Sequence, residues 1–230
     1  MQPYFVPYPG YFRLMQASDI FVIYDCVQFP RRGYVHRNKL IDPLGKEKWL
    51  TLPLLKQKRS IKIKDLLFNP IEINRFIKQL ENDAIYKKLS ARTELWDRLT
   101  NFNQAPVEYI VELIKFICAI LNIKTRFVYS SDLNIDNSLK GQERIISIVK
   151  ALNGTNYINA PNGKNLYRFE DFQKHGIELS FLNDFKGSYL SVLHSLCVND
   201  IDNLSKIIKK QSNLVAPDFK LDMHAAGALA

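Results

Sequence analysis

The chain has no apolar run long enough to span a bilayer, only three cysteines, and neither of the common glycine-rich phosphate signatures. Its most apolar helical stretch, residues 107 to 123, is interrupted by Glu108, Glu112 and Lys115, so no membrane-spanning helix is expected. Met1 is followed by Gln2 and Pro3 rather than by a basic segment and an apolar run, which predicts a soluble, cytoplasmic protein. Cys26, Cys118 and Cys197 are odd in number, widely spaced and set in apolar surroundings, a pattern of reduced thiols rather than of disulfides or zinc ligands. No His, Cys and acidic spacing resembles a metal site, so no metal is expected. The lack of a G-x-G-x-x-G and of a P-loop removes the standard dinucleotide-binding and P-loop readings. With no internal repeat and no low-complexity tract, repeat arrays and disorder drop out as well.

What is present is a globular composition, 47% apolar and 24% charged over 230 residues, enough for one sizeable core. The reading is a single domain over residues 1–213, with 214–230 as a tail of no periodicity, disordered or appended, and without functional weight. The first twelve residues, MQPYFVPYPGYF, crowd three prolines and a glycine among tyrosines and phenylalanines. Proline fixes φ and glycine frees it, so this loop has a specified path, and shaped loops commonly position something. The bland alternative is a rigid cap that packs aromatics on the core. Net charge is +9, and residues 31 to 64 alone hold eleven Lys or Arg against Asp42 and Glu47, which accounts for the whole excess. A basic stretch beside an aromatic loop predicts an anionic partner: nucleotide phosphates, nucleic acid or a membrane surface.

Periodicity predicts an α/β fold, mostly parallel sheet with helices on both faces and a helical insertion around residues 71–121. Residues 20–24 form an apolar run bounded by Asp19 and Asp25, the pattern of a strand buried on both faces. Residues 49–52 form a second strand. Helical spacing covers 71–89 and 106–121. The second half alternates: strand 125–129, helix 140–152, strand 156–160, helix 170–175, strand 177–182, an apolar element at 191–198 and an amphipathic helix at 200–210. Ligands collect beyond the carboxyl ends of strands in such sheets, which selects Asp25 and Gln28 with the arginines that follow, and the loop after 160 as its counterpart across one cleft. Arg31, Arg32, Arg37 and Lys39, which flank short strand-like pieces, are the candidate residues for an anionic partner.

In order, MQPYFVPYPGYF, DIFVIYDCVQFPRRGYVHRNKL, WLTLPL, KGQERI, YINAPNGKNLY and GIELSFL resemble the WbqC-like protein family over nearly all of residues 1–213. Members tend to lie in O-antigen and other surface-polysaccharide gene clusters, and the name-giving group is described as glycine transferases acting on amino sugars. The resemblance implies a transferase adding glycine or another small acyl group to the amine of a nucleotide-linked amino sugar. No resident cofactor is implied, only an activated glycine or acyl donor: thioester, aminoacyl-tRNA or transient adenylate. A non-catalytic module that binds a nucleotide or polyanion, or docks on other biosynthetic enzymes, is the alternative; a nucleic-acid partner ranks behind both.

The family pattern falls here on Gln2, Pro3, Pro7, Gly10 and Tyr11, then on Asp25, Gln28, Arg32, Arg37, Asn38 and Lys39. It continues at Gly141, Gln142 and Arg144, and at Asn159, Gly163, Lys164 and Tyr167. Asp25 is the expected general base for the attacking amine, or else an anchor paired with Arg32 or Arg37. His36 is the alternative base. Gln2 and Asn38 are candidate donors to a carbonyl oxygen. His175 reads as a helix-end histidine and His194 as a core one. Three departures stand out: Cys26 where members carry a second acid, His194 where they carry Asp, and a start at Met1 without the apolar strand that usually precedes Gln-Pro.

Overall fold

Ile20–Ile23 forms β1, with Phe21 and Ile23 buried and Ile20 and Val22 half-buried, so the strand is covered more completely on one face than on the other. The structure, a computed structural model, describes residues 1–42, 44–82 and 93–215. The chain enters through the proline-rich loop, makes one tight turn over Pro9–Tyr11 and runs into α1 (Phe12–Gln16) before β1. β2 (Arg37–Ile41) and β3 (Glu47–Thr51) form an antiparallel hairpin. The helical insertion follows as α2 (Pro70–Glu81), α3 (Thr93–Thr100) and α4 (Pro106–Ile120). The end of the helix expected over 71–89 lies outside the described residues. Proline stands at the first position of α2 and α4, where its missing N–H costs nothing.

The second half alternates as its periodicity predicts: β4 (Arg126–Tyr129), α5 (Gly141–Ala151), β5 (Asn156–Asn159), α6 (Phe169–Gln173), β6 (Glu178–Leu182), α7 (Val192–Val198) and α8 (Ile201–Lys210). Leu214–Val215 then pairs antiparallel with β6 as β7, so order extends into the first residues of the expected tail; 216–230 lie outside the described residues. No helix among the described residues is long and apolar enough to cross a membrane.

The fold is mixed α/β, as expected, but among the described residues the strands form three small sheets rather than one. β1 pairs parallel with β4, and β5 parallel with β6. Between β1 and β5 lies a cavity of about 420 Å³ whose lining includes Phe21, Val22, Tyr157 and Ile158, and this separation divides the sheet. Met1 lies along β1 on the cavity side: its nitrogen donates to Val22 O at 2.9 Å and its carbonyl accepts from Tyr24 N–H at 2.8 Å, the alternation of a parallel neighbour.

A main core gathers the N-terminal loop, α1, β1, the hairpin and α4 around Phe5, Phe12, Met15, Ile23 and Ile114. A smaller one under α5, α6 and β6 holds Ile146, Phe172, Leu179 and Phe181. Cys26, Cys118 and Cys197 form no disulfide; burial pushes the Cys118 thiol up to about 12, which makes it a packing residue beside Met15.

The loop is welded to both sides of the fold. Val6 is fully buried with φ +37°, a conformation that a β-branched residue rarely adopts. Its carbonyl accepts from Asn38 Nδ2 at 2.8 Å and from Ser191 Oγ at 2.7 Å, and Pro7 O accepts from Val192 N–H at 2.8 Å. Gly10 is needed for close approach: a Cβ there would lie 2.3 Å from Tyr8 Cε2 and 2.7 Å from Phe185 Cγ. Gly10→Ala is therefore expected to cost about 1–3 kcal/mol by overpacking, read as a lower urea midpoint with an unchanged m-value.

Candidate functional site

Asp25 follows β1 and is 2% exposed. Its carboxylate is held by the end of the neighbouring parallel strand: Ser130 Oγ–H donates to Oδ1 at 2.8 Å, Ser131 N–H to the same oxygen at 3.0 Å, and Ser131 Oγ–H to Oδ2 at 2.6 Å. The expected anchoring pair with Arg32 or Arg37 is not formed. The parallel β1–β4 register delivers both serines to Asp25, whereas Arg37 turns back to the carbonyls of Gly33 and Arg32.

Arg144, on the first turn of α5, is 7% exposed. Its Nη1–H donates to Asp136 O at 2.9 Å and its Nη2–H to Cys26 Sγ at 3.3 Å, while Nε is buried without a hydrogen bond. No carboxylate among the described residues forms an ion pair with it. Gly141 opens this helix at φ +50°, a backbone that glycine adopts without penalty. Cys26 Sγ also lies 3.1 Å from Ser130 Oγ, so Asp25, Ser130, Cys26 and Arg144 make one continuous polar chain.

The second loop lies beside this chain through Tyr24, whose hydroxyl feels both Cys26 and Tyr167. Asn159 Nδ2 donates to Tyr167 Oη at 3.2 Å, and the Tyr167 and Tyr157 hydroxyls lie 3.1 Å apart. Tyr24 titrates above the ordinary phenol value, chiefly through burial and then through nearby Cys26 and Tyr167, with Arg144 opposing. Burial, with Tyr167 next, also raises Tyr157. The ends of β1, β4 and β5 and the start of α5 thus converge on Asp25, Cys26, Ser130, Arg144, Tyr24 and Tyr167. Gly163 approaches Asn159 so closely that a Cβ would meet its amide nitrogen at 2.5 Å, and Lys164 lies in the same turn.

Other sequence-selected residues build the frame. Asn38 is buried, gives Nδ2 to Phe5 O and Val6 O, and accepts from Lys39 N–H, so its amide is engaged within the protein. Tyr11 donates to Gln2 O at 2.7 Å, and Pro7 and Gly10 are buried in the loop. Gln142 braces α5 against α6, donating to Asp171 Oδ2 at 2.8 Å and accepting from Arg168 N–H. Gln28 and Arg31 donate to the carbonyls of Arg59 and Gln57 on the opposing loop, and Arg32 is exposed beside them. Arg37 stacks over Trp49 at 4.3 Å and Lys39 pairs with Glu47 at 2.6 Å on the hairpin surface.

Reading the sequence for charge and aromatics missed Ser130, Ser131, Tyr24 and the contact of Cys26 with Arg144. The signal was available for the serines: they follow an apolar strand just as Asp25 does, and the carboxyl-end rule applies to both strands.

His36 stands apart from the carboxylate, with its ring edge-on to Phe29 at 4.9 Å and its Nδ1 buried without a partner. Burial, and then Arg37, lowers its pKa from 6.5 to about 4. An unfolded chain would take up a proton between those values while the folded one does not, so this group's contribution to stability falls as pH drops from 6.5 toward 4. His36→Gln is expected to lose less stability than the wild type between pH 7 and about 4.5, compared by urea midpoints. Equal losses would mean that the folded protein protonates His36 freely.

The WbqC-like protein family profile matches residues 2–219. The chain is also 26% identical over 200 residues to the uncharacterized protein Rv1507c of Mycobacterium tuberculosis, which covers 81% of each chain. No solved structure matches. The loop, the two parallel strand ends and the Arg144 helix are therefore features of a protein that belongs to the WbqC-like family.

Proposed function

We propose that the protein is a transferase that adds glycine or another small acyl group to the amine of a nucleotide-linked amino sugar in surface-polysaccharide assembly. The observation that carries this reading is a buried guanidinium, Arg144, that forms no ion pair among the described residues and is linked through Cys26 and Ser130 to a buried carboxylate, Asp25. An isolated buried cation is costly, and a substrate phosphate or carboxylate would supply its counter-charge through strong hydrogen bonds. Tyr24 and Tyr167 supply ring faces and hydroxyls suited to a sugar beside that anion.

In the reaction, the acceptor nitrogen attacks the activated carboxyl carbon, a C–N bond forms and the donor's leaving group departs. The ammonium proton then needs a base. Asp25 fills that role, directly or through Ser131, because its Oδ2 accepts one hydrogen bond and retains a free lone pair. Gln2, next to the residue that pairs with β1, is the proposed donor to the developing oxyanion.

Nucleotide-linked amino sugars are expected to raise the melting temperature of the wild type, and Arg144→Gln is expected to abolish that rise. Asp25→Asn, checked for folding by circular dichroism, should bind but lower acyl transfer, followed by mass spectrometry, by about 10²-fold or more. A folded wild type that none of these sugars stabilises would sink the proposal. Binding with transfer undiminished in Asp25→Asn would assign the base elsewhere.

A further inference from the structure

The basic excess of the sequence is gathered on one pair of loops. Residues 28–33 lie along the arm 54–68: Gln28 bridges Lys62, Phe29 N–H donates to Ile61 O at 2.8 Å, and Gln28 and Arg31 reach the carbonyls of Arg59 and Gln57. This brings Arg31 and Arg32 beside Lys56, Lys58, Arg59 and Lys62, all of them exposed. Residues 28–33 contain no carboxylate, and the arm 54–68 contains one, the exposed Asp65, against its five cations Lys56, Lys58, Arg59, Lys62 and Lys64.

The same arm shows apolar side chains to solvent. Leu54 bridges Phe68, and Leu55 N–H donates to Leu67 O at 2.9 Å, which sets Leu55 opposite Leu67 on one face of an antiparallel pair. They are 40% and 51% exposed, whereas the neighbouring Leu66 is buried. Tyr34 and Trp49, in ring contact at 5.8 Å, are exposed just beyond the first loop.

We propose that this arm is a docking surface for an anionic lipid membrane: the leucine pair enters the headgroup boundary and the surrounding cations bind acidic headgroups. An exposed leucine pair on an arm that also carries exposed cations is the composition of an interfacial contact, and each added basic group strengthens attraction to an acidic leaflet. Charge alone would also serve RNA. The outward leucines have no use against a phosphodiester backbone, however, and Arg37 already covers a face of Trp49 at 4.3 Å where a base would stack. The arm leads directly into the proposed site, because Lys64 N–H donates to Asp25 O at 3.0 Å. Docking here would hold the site near the bilayer surface.

The test is co-sedimentation of the full chain with phosphatidylcholine vesicles, with and without about a third phosphatidylglycerol. Binding is expected only to the anionic vesicles and should weaken steeply with added salt. Lys58→Glu with Arg59→Glu should lower the partition coefficient at least tenfold. Leu55→Ser with Leu67→Ser should lower it several-fold while the salt dependence persists. Both double variants change exposed side chains, and unchanged melting temperatures would confirm their folding. Absence of binding to anionic vesicles, equal binding to both vesicle types, or binding indifferent to the leucine pair would overturn the proposal. Saturable, salt-sensitive binding of transfer RNA without vesicle binding would give the surface to nucleic acid instead.

Discussion

The carbonyl of Val6 is the point on which the rest of the structure hangs. It belongs to a fully buried β-branched residue at φ +37°, and such a backbone persists only where its surroundings over-determine it. Here the determinants are two: Asn38 from β2 and Ser191 from the start of α7 donate to the same oxygen. One strained residue thereby fixes the hairpin and the C-terminal helices against the N-terminal loop. Arg13 extends the same device at the next helix. It is 1% exposed and its guanidinium donates to Gln211 O at 2.6 Å and Asn183 O at 2.7 Å. The N-terminal segment therefore ties the hairpin to the C-terminal helices, and its prolines keep low the entropy lost in doing so.

This frame separates two chemistries that the sequence runs together. Asp25 and Arg144 sit inside, where low dielectric strengthens each polar contact and makes each unpaired charge expensive. The cations of residues 31–64 lie outside, where water and salt weaken them singly and only their number gives effect. The exposed Lys39–Glu47 pair belongs to the second group; its 2.6 Å contact orders the hairpin surface but carries little stability.

Much of the fold was legible. Helical spacing located α4, α5 and α8, and the apolar run before Asp25 located β1, because burial imposes period on any segment that packs one face. The division of the sheet was not legible, since the cavity between β1 and β5 depends on how two strands distant in sequence are spaced. Asp25 was found by its place after a strand. Its partners were misassigned, since nearness in sequence favoured Arg32 and Arg37 while the β1–β4 register brought Ser130 and Ser131 from more than a hundred residues away. By residue type, Asn38 could donate to a ligand carbonyl, and Gln142 could bind an anion or bridge to a neighbouring element. Their bonds to Val6 O and Asp171 were set by packing.

By itself the sequence determined the α/β class, the order of the elements, the concentration of basic charge and the shaped N-terminal loop, all properties of local composition and spacing. Tertiary structure alone decided which charges are buried, which thiol meets Arg144 and which leucines face water. Those outcomes depend on long-range register and on the competition for each buried donor and acceptor, and neither is written in any one segment.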